Sequence, residues 1–152
     1  MLKLYVDAGT QNNGRKGYQK TRIAVSDEDG KILVDKYLGD YTNNEGELLA
    51  ILYALKNIEP MEQKTIYSDS RIATNWALRA DKVRARQERI KKKNRLSDRH
   101  MKFINFTYTL LHMSDSTVIN IPREENKAGW YLEEKYCIWS SKENIDLIRH
   151  WC

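Results

Sequence analysis

A chain of 152 residues, 41% hydrophobic and 31% charged, has the balance of one soluble globular domain, long enough to bury a core without metal or disulfide help. No apolar run approaches the ~18 residues of a membrane span, and two cysteines, Cys137 and Cys152, exclude a disulfide framework or a zinc ribbon. The opening MLKLYVDAGT lacks the apolar stretch of a secretory signal, so the expectation is a single cytosolic domain over residues 1–152, a monomer with no membrane partner. The formal charge of +5 is concentrated: residues 79–99 carry ten basic and three acidic side chains, +7 in all, which leaves −2 for the rest. A basic protrusion on a slightly acidic body is the footprint of a protein that meets a polyanion. A solvated helix face would read the same way.

In chain order, Leu2–Asp7 alternates apolar and polar residues and predicts a strand ending in an aspartate. The run from Ala8 to Gly14 is rich in turn formers. Arg22–Ser26 predicts a second strand, Asp29-Gly30 a hairpin turn, and Lys31 to about Leu38 a third strand, which makes an antiparallel meander. The period then changes. Thr42-Asn43-Asn44 offers N-cap side chains, and Glu45–Asn57 predicts a helix with Leu48, Ile51, Leu52, Ala54 and Leu55 inward. Lys64–Asp69 is a fourth strand, again ending in an aspartate, and Ser70 caps a helix from Arg71 to about Leu78. After the basic segment comes a helix from about Arg99 to His112, with Phe103, Phe106 and Leu110 as its apolar stripe. Thr117–Ile121 is a fifth strand. A helix follows from Asn126 to about Tyr136, and a short one near Ile145–His150. This order predicts an α/β fold, a five-stranded mixed sheet of three antiparallel and then two parallel strands, flanked by helices.

Asp7 and Asp69 both stand at strand ends, where ligands gather in open sheets, and Glu47 sits in the first turn of the first helix. Singly, these are cap or turn residues. If the first and fourth strands are parallel neighbours, the three carboxylates converge. An all-oxygen site of that kind suits Mg²⁺ or Mn²⁺, and two such ions can drive phosphodiester hydrolysis.

The runs YVDAGTQNNG, DYTNNEGELLAILYAL and IYSDSRIATNWAL resemble the first three motifs of the type 1 ribonuclease H family, and the element order is similar to that family's fold. The resemblance implies that Asp7, Glu47 and Asp69 hold two Mg²⁺ (or Mn²⁺) ions and that the substrate is an RNA/DNA hybrid. It also implies that Asn44, with Gln11 or Asn13, meets the nucleic acid near its minor groove. The basic protrusion, with Arg84, Arg86, Lys91, Lys92 and Lys93, falls where some members hold the hybrid.

The fourth motif departs from the pattern. Four residues beyond Asn126 stands Trp130, and one gap earlier Gly129; neither binds a metal. Glu133 shares their helix face one turn on and could supply the fourth carboxylate. Glu134, Glu124 or no residue at all are the alternatives. The family's loop histidine is replaced by Arg123 or Glu124. The rivals to a hybrid-cleaving ribonuclease are a hybrid-binding module with weakened catalysis and another nuclease of the same fold.

Overall fold

The computed structural model describes residues 2–59 and 62–136. The predicted helix near Ile145–His150 and both cysteines lie outside these residues. No helix among them is long and apolar enough to cross a membrane.

The strands are β1 (Leu2–Gln11), β2 (Lys20–Asp27), β3 (Ile32–Gly39), β4 (Lys64–Ser68) and β5 (Thr117–Asn120). They form one sheet in the order β3-β2-β1-β4-β5. β1 and β2 pair antiparallel, as do β2 and β3, whereas β4 lies parallel to β1 and β5 parallel to β4. The predicted mixed sheet is therefore the one observed. The helices are α1 (Asn43–Asn57), α2 (Arg71–Leu78), α3 (Ala80–Arg89), α4 (Asp98–Met113) and α5 (Lys127–Tyr136).

Strand alternation decides which side chains meet which layer. Leu4, Val6 and Ala8 of β1, with Ile23, Val25 and Ile66, face α1 and form the main core. Tyr5 and Ala24 face α5 and join the smaller cluster with Ala128 and Leu132. α1 begins at a capping box: Thr42 Oγ1 accepts from Glu45 N at 3.1 Å, and Glu45 Oε1 accepts from Thr42 N at 3.2 Å. Its five predicted apolar positions are all buried.

Two expectations are corrected, and one segment left without an element is filled. β1 does not end at Asp7 but runs to Gln11, because its antiparallel pairing with β2 continues from Asp7↔Ala24 to Gln11↔Lys20. The basic segment contains a helix of its own, α3, held to the body by Ala80 and Val83. The buried stripe of α4 is His100, Ile104, Thr107 and Leu111, not the predicted one. Phe103 and Leu110 pack only at its margin, and Phe106 is 45% exposed, with Lys56 Nζ 5.8 Å from its ring.

α5 is fastened to the meander through Asp35 on β3. Arg22 Nη1 lies 2.7 Å from Asp35 Oδ1, and the Tyr131 and Tyr136 hydroxyls each donate to Oδ2 at 2.5 Å. Burial alone pushes this carboxyl up, but the hydrogen bonds from Tyr131, Tyr136 and Arg22 outweigh it and hold it at about 2, below its ordinary 3.8. A lowered folded-state value stabilises the fold above the unfolded value, and this contribution is lost as pH falls from 3.8 towards 2. Asp35→Asn should therefore cost about 1–2 kcal/mol at neutral pH. Urea unfolding should show that difference shrinking below pH 4, and a pH-independent difference would refute the linkage.

Candidate metal centre

Parallel pairing of β1 and β4 ends at Val6↔Ser68. Beyond it β1 continues without a neighbour on that side, and the site forms in the opening. Asp69 follows β4 directly, at the turn into α2, where Ser70 Oγ accepts from Ala73 N at 3.1 Å. Glu47 arrives from α1, which is docked very closely. A Cβ on Gly46 would stand 2.6 Å from Thr21 Cγ2 and 3.1 Å from Ala8 Cβ, so only glycine lets the helix approach the sheet this far. Asp7 points toward α5, and a Cβ on Gly129 would stand 2.9 Å from Asp7 Oδ2.

One oxygen from each of Asp7, Glu47 and Asp69 lies within 4.8 Å of the others. Asp7 and Glu47 are buried and Asp69 half-buried. Buried carboxylates normally find hydrogen-bond donors, yet Asp7 Oδ1 and Glu47 Oε2 have no partner. Burial, and then the charge of Asp69, pushes the Asp7 carboxyl well above its ordinary range. Burial, and then Asp7, does the same to Glu47. Asp69 is raised less far, mainly by burial, against a hydrogen bond from Asn126. Three clustered hard oxygen donors, two of them with an orphaned buried atom, fit a divalent cation such as Mg²⁺ or Mn²⁺.

Glu133 stands outside this cluster. Its Oε1 lies 2.8 Å from Arg123 Nη2, although its charge still acts on Asp7 and Asp69. Glu134 and Glu124 are exposed. Trp130 is 50% exposed, with its Nε1 donating to the Glu124 carbonyl at 3.0 Å. It is a lid on the loop and not a packed core residue, so Gly129 and not Trp130 is the α5 position that faces Asp7.

The basic candidates stand on elements other than those that carry the acids. Arg84, Arg86, Lys91, Lys92 and Lys93 are exposed on α3 and the turn after it. That turn is tied down by Gln87 Oε1, which accepts from Leu96 N at 2.7 Å. Arg99 is not available to the protrusion, since it pairs with Glu45 at 3.0 Å and stacks on Tyr41 at 4.4 Å. Asn13 Oδ1 accepts from Asn43 N at 2.9 Å, joining the β1–β2 turn to the start of α1. Asn44 is exposed, three residues before Glu47 and on the same helix face.

Two positions carry roles that the residue pattern alone did not assign. Asn126 is fully buried; its Nδ2 donates to the Val6 carbonyl at 2.8 Å and to Asp69 Oδ2 at 3.1 Å. It fixes Asp69 to the strand that carries Asp7. Gly46 had a readable signal, since glycine inside a helix of good formers costs about 1 kcal/mol and marks a close approach.

The model of the RNase H family matches residues 1–121, stopping just before the segment whose fourth motif departs. LC11-RNase H1, isolated from compost by a metagenomic approach, superposes with a TM-score of 0.58 at 20% identity over 86% of this chain and 91% of that one. The same enzyme in complex with an RNA/DNA hybrid gives 0.52 at 20% identity, over 83% and 88%. RNase H1 from the halophilic archaeon Halobacterium salinarum NRC-1 gives 0.56 at 18% identity, over 86% and 92%. At these identities the superpositions establish the fold. No curated protein matches the chain.

Proposed function

The chain belongs to the RNase H family, and from that premise we propose a metal-dependent endoribonuclease that hydrolyses the RNA strand of RNA/DNA hybrids. The observation that carries the reading is the cluster of Asp7, Glu47 and Asp69, with two buried carboxylate oxygens lacking any partner. A neighbour in fold, LC11-RNase H1, binds such a hybrid, which supports the choice of substrate.

Asp7, Glu47 and Asp69 would hold Mg²⁺ or Mn²⁺, two ions with substrate present, and bound ions of this kind supply an activated water and stabilise the leaving oxygen. The protein's own part is positioning. Asn126 orients Asp69, Gly46 brings Glu47 to the sheet edge, and Gly129 leaves room for the Asp7 carboxylate. Asn44 and Asn13 meet the minor groove, where the 2′-hydroxyls that distinguish RNA are displayed. The α3 protrusion holds phosphates and fixes the register. All three acids come from one chain, so a single copy supplies the whole cluster.

Labelled RNA/DNA hybrid, duplex DNA and duplex RNA, each with Mg²⁺ or Mn²⁺, form the test. Cleavage of the RNA strand in the hybrid alone is expected. Cleavage of either other duplex would assign another nuclease of this fold, and binding without cleavage a hybrid-binding module. Lys91, Lys92 and Lys93 changed together to alanine should raise KM and flatten the salt dependence of binding while kcat holds. An unchanged salt slope would reduce the protrusion to a solvated helix.

Glu133 joins the metal set only by leaving Arg123. Glu133→Gln should then lower activity and raise the metal concentration for half-maximal rate, with Mn²⁺ favoured over the stricter Mg²⁺. Glu134→Gln should do little, since it points about 100° further round the helix. Parental rates and metal optima in Glu133→Gln, Glu134→Gln and Glu124→Gln would mean that three carboxylates suffice.

A further inference from the structure

The turn joining β1 to β2 is long and exposed at every residue but Gln19, yet it is built to hold one shape. Asn12, Gly14 and Gly17 take left-handed backbone conformations, with φ of 58°, 88° and 91°. Gln19, buried beneath them, accepts from Gly14 N at 2.9 Å and donates to Asp40 Oδ1 at 3.0 Å. Gly17 N donates to both Asp40 oxygens at 3.0 Å, and Asn12 Nδ2 to the Tyr18 carbonyl at 3.2 Å. Two backbone bonds, Arg15 N to Asn12 O at 3.0 Å and Tyr18 N to Arg15 O at 2.9 Å, close the turn.

What this frame presents is Arg15, Lys16 and Tyr18. All three are exposed, Tyr18 by 73%, and none of their side chains makes a hydrogen bond or ion pair among the described residues. Asp40, the neighbouring acid, is occupied by Gly17 and Gln19, so the tip is positive. It is also fixed relative to the acids: β1 runs four residues from Asp7 to Gln11, about 13 Å, and Asn13 is bonded to the start of α1.

We propose that this tip is a remote phosphate clamp for the duplex running out from the acid cluster, a role that rests on the hybrid-cleaving reading above. Arg15 and Lys16 take neighbouring phosphates. Tyr18 lays its ring on a sugar, since bases inside a duplex are already stacked. Gln11 alone is already about 13 Å from Asp7, so at one base pair per about 3.4 Å the contact falls about 4 or more base pairs from the scissile bond. Gln19 is a positioning residue for the clamp.

The test measures binding in an Asp7→Asn background, to a hybrid extending well past the tip and to one ending short of it. For the long hybrid, Arg15→Ala with Lys16→Ala should weaken binding and make the slope of log K against log salt shallower by about 1.8, at about 0.9 per phosphate. Tyr18→Ala and Gln19→Ala should weaken binding with the slope kept, because neither removes a charge. For the short hybrid all these variants should match the parent. An unchanged slope and affinity for the double variant on the long hybrid, with the parent binding it, would overturn the clamp alone. A parent that binds no hybrid of either length would overturn the substrate assignment and the clamp with it.

Discussion

Asp7→Asn is expected to abolish cleavage and at the same time to raise the melting temperature of the metal-free protein. The two effects have one cause. Asp7 is buried against Glu47 and Asp69, with Oδ1 unpartnered, and its carboxyl is pushed well up by burial and then by Asp69. A raised carboxyl binds its proton more tightly in the folded than in the unfolded state. Folding is therefore favoured below the unfolded value and weakened as pH rises through the folded one. At neutral pH the carboxyl is a liability to the fold unless a cation neutralises it. Asparagine removes the liability and the ligand together. In EDTA each kcal/mol so gained should add about 2–4 °C to Tm for a chain of this size. Added Mg²⁺ or Mn²⁺ should raise the Tm of the parent by mass action and leave that of Asp7→Asn nearly unmoved. Glu47→Gln should behave alike, whereas Asp69→Asn, less buried and already bonded to Asn126, should gain less stability. Cleavage should fall by about 10²-fold or more in each. Near-parental turnover in any of the three would remove that residue from the centre. A Tm in EDTA that drops on neutralising Asp7 would show that the cluster is not strained.

The second large effect is expected at Asn126. Its side chain is fully buried, donates to the Val6 carbonyl and to Asp69, and accepts from Ala128 N at 3.2 Å to start α5. Asn126→Ala leaves a buried carbonyl and a helix N–H without partners, each costing about 1–3 kcal/mol. The sum is about 2–6 kcal/mol, among the larger losses for one substitution. Activity should fall as well, because Asp69 is no longer tied to the strand of Asp7. Asn126→Asp tests the same contact through charge. It puts a fourth carboxylate beside Asp69, so its stability deficit should be largest at neutral pH and ease as pH falls. Thermal melts at two pH values decide this. A loss below about 1 kcal/mol in Asn126→Ala would make the residue an ordinary cap.

What could be read from residues alone was whatever local rules encode. The strand and helix periods, the Thr42 and Ser70 caps and the glycine turns are set by neighbours a few positions away. They were enough to place Glu47 in the first turn of α1 and Asp69 at the end of β4, and to predict three antiparallel strands followed by two parallel ones. The tertiary structure decided what depends on partners far along the chain. β1 passes Asp7 because β2 offers it a longer ladder than β4 does. The face of α4 is set by what α1 and α2 present to it, so His100 and Thr107 are buried where Phe106 is not. Arg99 left the basic protrusion because Glu45, 54 residues away, needed a cation. Asn126 found Asp69 57 residues off and Val6 120 residues off. No periodicity records such a distance. Contacts of that span exist only once the sheet has closed and the desolvated groups along its edge must satisfy one another.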